Sequence, residues 1–321
     1  MGGAFASIAR IAAWLLLAAV VLIFPDNLSF ATSVAVMALF AMSLDLVLGY
    51  AGIISLGHAV FFGIGAYAAG WIALGGWHEP ISGLLLAGGA AALTALAIGP
   101  LLLRFTGLPL IMVTFVFGVI LYEAANKATP ITGGDNGLTG FEFAPVFGLF
   151  RWSVFSYVEY LYALTCLCAA YFLSRRIVAS PFGLALQGIR ENATRMNLVG
   201  APVRNHLLCI YTYSAFLAGL AGALAAQTTR FVSLSVFSVD TSIDVVIMLV
   251  LGGVATLYGA ILGAAVYMTV HHVASEWNPY HWMFIIGFLL LFVVRVGRGG
   301  LVGIATALVR RGMRRDGGRQ A

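Results

Sequence analysis

Long runs of apolar residues, separated by short polar stretches, dominate the chain. About ten of these runs approach the roughly 20 residues that an α-helix needs to cross a lipid bilayer. The runs cover residues 11–24, 30–48, 58–74, 81–103, 108–125, 154–173, 206–228, 241–257, 260–274 and 282–294. The pattern predicts an all-α, polytopic integral membrane protein, with residues 1–321 forming a single transmembrane domain.

The composition supports this prediction. Of the 321 residues, 61% are hydrophobic and 9% are charged, whereas soluble domains are about 25% charged. The cysteines Cys166, Cys168 and Cys209 lie within apolar runs and lack the partner spacing of a zinc site, so we expect no disulfide and no metal there. The net charge of +5 comes from clustered arginines, which indicates membrane topology rather than binding of nucleic acid.

The arginine clusters predict which ends of the spans face the cytoplasm. One cluster lies within residues 175–204 and the other within 295–319, and both, including the basic tail 296–321, are predicted to be cytoplasmic. Four spans separate the clusters and six precede the first, which places both termini in the cytoplasm. The run 11–24 also has the length of a signal-peptide core, but no small-x-small cleavage site follows it, so we interpret it as a retained span.

Two glycine-rich stretches, residues 49–58 and 251–259, interrupt the apolar pattern. Irregular backbone at membrane depth is tolerated only where protein or a water-filled cavity surrounds it, and paired interrupted helices often mark a transport path. The first stretch is either a discontinuous helix whose free N–H groups face a polar solute, or a tight turn between spans. On the first interpretation, the candidate path residues are Gly52, Ser55, Gly57, His58, Gly252 and Gly253.

A polar segment, residues 175–205, lies between two of the predicted spans. Ser180 and Pro181 are typical of a helix start, because serine can cap free N–H groups and proline has no N–H to leave unsatisfied. Apolar residues then recur at helical spacing as far as Gly200, and they are Phe182, Leu186, Ile189, Ala193 and Met196. Such an amphipathic helix either anchors the loop at the membrane surface or docks a cytoplasmic partner.

A set of short motifs occurs in order between residues 38 and 263. The set comprises Gly49-Tyr50-Ala51-Gly52, Ser55-Leu56-Gly57-His58-Ala59, Phe61-Phe62-Gly63-Ile64-Gly65-Ala66-Tyr67, Thr132-Gly133-Gly134, Asn136-Gly137-Leu138, Ser180-Pro181-Phe182-Gly183, Ile189-Arg190-Glu191-Asn192, Leu217-Ala218-Gly219-Leu220-Ala221-Gly222-Ala223-Leu224 and Leu251-Gly252-Gly253. Together they resemble the branched-chain amino acid ABC permeases, in particular the larger of the two homologous permease types.

The resemblance implies a permease that forms half of the translocation path of an ATP-driven importer in the bacterial inner membrane. The expected partners are a homologous second permease, two cytoplasmic ABC ATPase subunits that bind the ATP, a periplasmic solute-binding protein, and membrane lipid. No cofactor is expected in this chain. The segment around Arg190 is similar to the helix that rests on the ATPase, and the implied coupling residues are Ser180, Pro181, Phe182, Gly183, Arg190, Glu191, Asn192 and Gly200.

Three positions depart from the family's pattern, with Ile53 where glutamine is common, Asp45 where asparagine is common, and Leu207 where a lysine often occurs. Ile53 and Asp45 border the predicted path. Because relatives of the family also carry urea, short amides or aromatic carboxylates, the resemblance leaves the solute open.

Other functional classes fit the sequence less well. The phosphate-binding motif G-x-x-x-x-G-K-[ST] needs a lysine, and the only lysine, Lys127, is not in such a motif, so we predict no ATPase site. No Ser/His/Asp constellation indicates an enzyme, and no catalytic residue is predicted. A stand-alone secondary transporter is a further alternative, but it leaves the segment 175–205 unexplained. Acidic residues at membrane depth are costly, and for Glu123, Asp240 and Asp244 we expect structural or gating roles. Asp45 lies about one turn from the cytoplasmic end of its span, so we expect it to be an interfacial acid or to make a helix–helix hydrogen bond rather than to contact the solute.

Overall fold

The computed structural model describes residues 27–145, 157–277, 282–296 and 299–303. In these ranges the chain is largely helical and forms no β-strand beyond a single paired bridge. The long helices are α1 (Leu28–Asp45), α2 (Ala59–Leu74), α3 (Pro80–Leu102), α4 (Leu108–Lys127), α5 (Tyr157–Val178), α6 (Pro181–Leu198), α7 (Val203–Thr229), α8 (Val239–Gly252), α9 (Leu257–Trp277) and α10 (Trp282–Val296). The predicted all-α fold is confirmed for this part of the chain.

Six helices are long and apolar enough to cross a membrane, namely α1 with its continuation to Tyr50, α3, α4, α5, α7 and α9. The helix α2 and the segment Trp282–Leu291 of α10 are shorter but apolar. Every predicted run from 30–48 onward coincides with one helix, with ends that differ by a few residues. The run 11–24 and all but the start of the basic tail lie outside the described residues. The count of ten spans and the cytoplasmic placement of both termini stay predictions.

The 27-residue helix α7 organises the bundle, because α2 and α3 both pack along it. Gly65 of α2 meets Gly219 of α7, and Ala91 of α3 lies against the same glycine. Gly222, one turn further along α7, faces the carbonyl of Phe62. Helices in a membrane gain little from the hydrophobic effect on association, so small residues that allow close backbone approach supply the packing contacts.

The helices α8 and α9 form a second tight pair. Gly252 of α8 lies against the backbone of Gly259 and Gly263 of α9, and α1 packs on both helices. By contrast, α4 is buried only along Leu110, Thr114 and Gly118.

The bundle has two ends that differ in structure. Leu28, which begins α1, packs with Tyr160 near the start of α5, and the connections 128–145 and 230–238 pair with one another at this end. We call it the loop end. At the opposite end, which we call the arm end, α6 joins α5 to α7 and packs against the last turn of α1.

Candidate translocation path and coupling segment

The first glycine-rich stretch is an irregular segment between α1 and α2. The helix α1 closes with a wider helical turn at Leu46–Tyr50, and residues 51–58 then run without regular structure until α2 begins at Ala59. The side chain of His58 lies 2.9 Å from the hydroxyl of Ser43. Because Ser43 precedes Tyr50 by about two helical turns, the segment rises alongside α1, and α2 begins inside the bundle. Of the two interpretations, this geometry is that of a discontinuous helix and not of a tight turn between spans.

Side-chain hydroxyl groups accept hydrogen bonds from the backbone N–H groups that this break would otherwise leave without a partner. The N–H of Leu56 donates to Thr114 Oγ1 at 3.3 Å, that of Gly57 to Ser55 Oγ at 3.4 Å, and that of Ala59 to Ser242 Oγ at 3.0 Å. The hydrogen bonds to Thr114 and Ser242 were not predicted from the sequence. The one feature that could have indicated them is the presence of a hydroxyl residue within an apolar run. Contact of these N–H groups with a solute stays a prediction.

The predicted path residues fall into two environments. Ser55, Gly57 and His58 are buried, and so are Gly252 and Gly253 of the second break. Gly52 is exposed and has a φ of 75°, a conformation that side chains other than glycine rarely adopt. The exposed part of the first break is therefore its beginning, near the arm end.

The buried His58 joins the start of α2 to α1, and Ser43 in turn bonds α7. The ring of His58 stacks on Phe40 of α1, with the ring centres 5.5 Å apart. The hydroxyl of Ser43 donates to the Phe40 carbonyl at 2.6 Å, which leaves its oxygen free to accept from His58 Nε2–H. Ser214 of α7 donates to the Ser43 carbonyl at 2.5 Å. The histidine thus fixes the depth at which α2 starts.

The second glycine-rich stretch lies between α8 and α9, at residues 253–256, and meets the first stretch. Gly253 and Ala255 have φ values of 121° and 63°. The buried carboxylate of Asp45, on α1, accepts the N–H of Ala255 at 2.7 Å. A Cβ atom added to Gly49 would lie 2.6 Å from the Ala255 nitrogen, so the two backbones are in close contact. Of the two roles expected for Asp45, the structure shows a hydrogen bond between elements, which Asp45 makes to the connection between α8 and α9 rather than to a second helix.

The coupling segment begins as predicted at Pro181 but is capped differently. The hydroxyl of Ser180 donates back to the Ile177 carbonyl at 2.6 Å and caps no N–H of α6, so the predicted serine cap is wrong. The close approach of the α5–α6 turn explains the difference, since Gly183 lies directly against the backbone of Val178. Phe182 stacks on His206 of α7 with ring centres 5.2 Å apart.

The helix α6 is bent at Asn192, whose φ and ψ of −159° and 94° are not helical. The Asn192 side-chain oxygen accepts the N–H of Arg195 at 2.8 Å and so begins a second, shorter helix. Leu186 and Ile189 are buried before the bend, whereas Ala193 beyond it is exposed. The predicted continuous apolar side is therefore wrong beyond Asn192, because the bend turns the remaining residues away from the bundle.

The predicted coupling residues Arg190, Glu191 and Gly200 are all exposed. The guanidinium of Arg190 donates to the Gly49 carbonyl, and its aliphatic carbons cover Gly52. Gly200 has a φ of 92° in the turn that precedes α7. The segment thus bonds to the membrane domain through Arg190, which remains exposed like the adjacent Glu191.

Of the other acidic residues within apolar runs, Glu123 and Asp240 are exposed, and their structural or gating roles stay predictions. Asp244 of α8 accepts the hydroxyl of Tyr267 of α9 at 2.5 Å. His272 and Glu276 are 3.5 Å apart on the exposed side of α9. Among the described residues no group of three potential ligands converges on a metal site.

Comparison with known proteins decides the family. Residues 27–294 match the family model described as "Branched-chain amino acid transport system / permease component". The chain belongs to this family. Membership, together with the apolar helices, makes it a transmembrane permease of the ABC transporter class and a multi-pass membrane protein.

Two curated relatives are similar over most of their length. The high-affinity branched-chain amino acid transport system permease protein LivM of Escherichia coli K12 is 29% identical over 290 residues, which is 82% of this chain and 67% of the relative. LivM of Salmonella typhimurium LT2 is 28% identical over 293 residues, which is 84% of this chain and 68% of the relative. No solved structure matches the chain.

Proposed function

We propose that this permease forms half of the translocation path of an ATP-binding cassette importer for branched-chain or related amino acids in the bacterial inner membrane. Its partners in this proposal are a homologous second permease, two cytoplasmic ATPase subunits and a periplasmic solute-binding protein. ATP binding and hydrolysis take place in the ATPase subunits, whose closure moves α6 and exposes the path to the two sides of the membrane in turn.

The observation that carries the proposal is the uncovered tip of the coupling segment. Before the bend at Asn192, Leu186 and Ile189 anchor α6 in the bundle. Beyond the bend, Leu198 and Val199 are 84% and 77% exposed. Adjacent apolar side chains exposed at the end of a polar arm are typical of a protein contact surface.

The choice of solute rests on the two relatives, whose names specify branched-chain amino acid transport. Urea, short amides and aromatic carboxylates are alternative solutes, because Ile53 and Asp45 depart from the common pattern near the first break. A stand-alone secondary transporter is the alternative mechanism. It would need no ATPase and would leave the apolar tip without a partner.

The substitution Leu198→Glu tests the docking surface. We expect the variant to insert in the membrane normally but to lose the ATPase that copurifies with the wild-type chain in mild detergent, together with ATP-dependent uptake. Leu184→Glu is the matched control, since Leu184 is also exposed, at 66%, but precedes the bend. Loss of uptake in Leu184→Glu, with Leu198→Glu unaffected, would instead support α6 as a membrane anchor. Concentrative uptake by the isolated chain in vesicles would refute the ATP-driven mechanism.

A further inference from the structure

We infer that Asp45 and Arg190 form a positioning link that ties the coupling segment to both breaks in the transmembrane bundle. The inference rests on the proposed function and extends it to one residue, Asp45, that does not belong to the coupling segment. Asp45 positions the breaks relative to Arg190, and neither residue needs to touch the solute.

Asp45 holds the two breaks together from the side of the membrane domain. Its side chain is fully buried, with an exposed fraction of 0%. Oδ1 accepts the Ala255 N–H at 2.7 Å, whereas Oδ2 is buried without a hydrogen-bond partner. A buried carboxylate that is only half satisfied is costly unless a nearby cation compensates for it. Oδ1 is thus bonded to a residue in the second break, 210 positions along the chain.

Arg190 contacts the turn of α1 that follows this carboxyl group. Asp45 Oδ1 lies beside Gly49, where an added Cβ atom would overlap it. The guanidinium of Arg190 donates to the carbonyl of Gly49, one helical turn beyond Asp45, and the stem of the arginine lies over Gly52 of the first break. One arginine of the coupling segment therefore contacts the first break directly and reaches the second through Asp45.

This arrangement gives α6 a mechanical connection to the irregular backbone. The close contact of Gly49 with Ala255 leaves no room for a side chain between the two breaks. A displacement of Arg190 must move the Gly49 carbonyl, and the second break is bonded to the same turn of α1 through Asp45. Motion of the arm and motion of both breaks are thereby coupled.

Two conservative substitutions separate the charge from the packing. Asp45→Asn keeps an oxygen that can accept the Ala255 N–H but removes the carboxyl group's charge beside Gly49. Arg190→Met keeps the stem over Gly52 but removes the guanidinium. In the assembled transporter, copurified with its partners and reconstituted in vesicles, we expect each variant to raise the ATP hydrolysed per solute molecule imported by about ten-fold, within the range typical of coupling between two sites.

The control is Arg204→Met, because Arg204 Nη2 also donates to a helix carbonyl at the arm end, that of Pro100 at 3.1 Å, but contacts neither break. The control should keep the wild-type ratio. Because the two groups act in one link, the double variant Asp45→Asn with Arg190→Met should be no worse than either single variant.

The outcomes separate the inference from the function on which it rests. Unchanged ratios in both single variants, or additive effects in the double variant, would overturn the link while leaving the importer assignment intact. A loss of folded protein with an unchanged ratio would also overturn it, since that result describes a purely structural contact. Absence of ATP-dependent uptake in the wild-type assembly would instead refute the proposed function.

A second readout follows the exposed part of the first break. Ile54 is 46% exposed, and Ile54→Cys in a background where the three native cysteines are replaced reports its accessibility to a thiol reagent. We expect ATP to change the labelling rate in the otherwise wild-type chain, and we expect Arg190→Met to abolish that change. An ATP-dependent change that persists in Arg190→Met would contradict the link.

Discussion

Gly65→Ala should destabilise the bundle by forcing α2 away from α7. A Cβ atom at Gly65 would overlap the Gly219 carbonyl oxygen and lie 2.5 Å from the Gly219 Cα, whereas ordinary van der Waals contact begins at 3.4 Å. Both opposing atoms belong to the backbone and cannot rotate away, so the helices must separate by about 1 Å. Overpacking of this kind costs about 1–3 kcal/mol.

Gly89→Ala is the matched control. Gly89 lies within α3, and a Cβ atom there would meet no heavy atom within 4 Å. Both substitutions replace a helical glycine by alanine, so the gain in helix propensity, about 1 kcal/mol, is common to the two variants. The difference between them therefore isolates the packing term, and we expect Gly65→Ala to be about 1–3 kcal/mol less stable than Gly89→Ala.

Thermal unfolding of the purified chain in one detergent, followed by tryptophan fluorescence at a fixed scan rate, measures this difference. Each kcal/mol should lower the apparent Tm by about 2–4 °C. Equal Tm values for the two variants would refute the assigned contact between α2 and α7. A lower Tm for Gly89→Ala than for Gly65→Ala would show that α3, and not α2, carries the tight interface.

His58→Ala removes the ring that stacks on Phe40 and bonds to Ser43, and the same unfolding assay should show a loss of about 2–4 kcal/mol. A Tm equal to that of the wild type would mean that α2 does not depend on this ring for its starting depth. Ser238→Ala removes the hydroxyl that accepts the Thr241 N–H at 3.2 Å at the start of α8, with an expected loss of about 1 kcal/mol that Ser238→Asn should restore. Failure of asparagine to restore stability would argue against a capping role.

Features that depend on short stretches of chain could be predicted from the sequence. An apolar run long enough to cross a bilayer forms a helix whatever its neighbours, because the backbone must satisfy its own hydrogen bonds in lipid. The positions of the helices and the start of α6 at Pro181 follow from such local rules. The glycine-rich stretches were recognisable for the same reason, since glycine and polar residues interrupt an apolar helix at a defined point in the sequence.

Which elements meet was decided only in the tertiary structure. Asp45 and Ala255 are 210 residues apart, and Arg190 and Gly49 are 141 residues apart. The spans are all similarly apolar, so hydropathy does not select one neighbour over another, and close packing at glycines makes that choice. For the same reason the sequence located Asp45 within a span, but only the folded bundle placed it against the second break and next to the turn of α1 that Arg190 contacts.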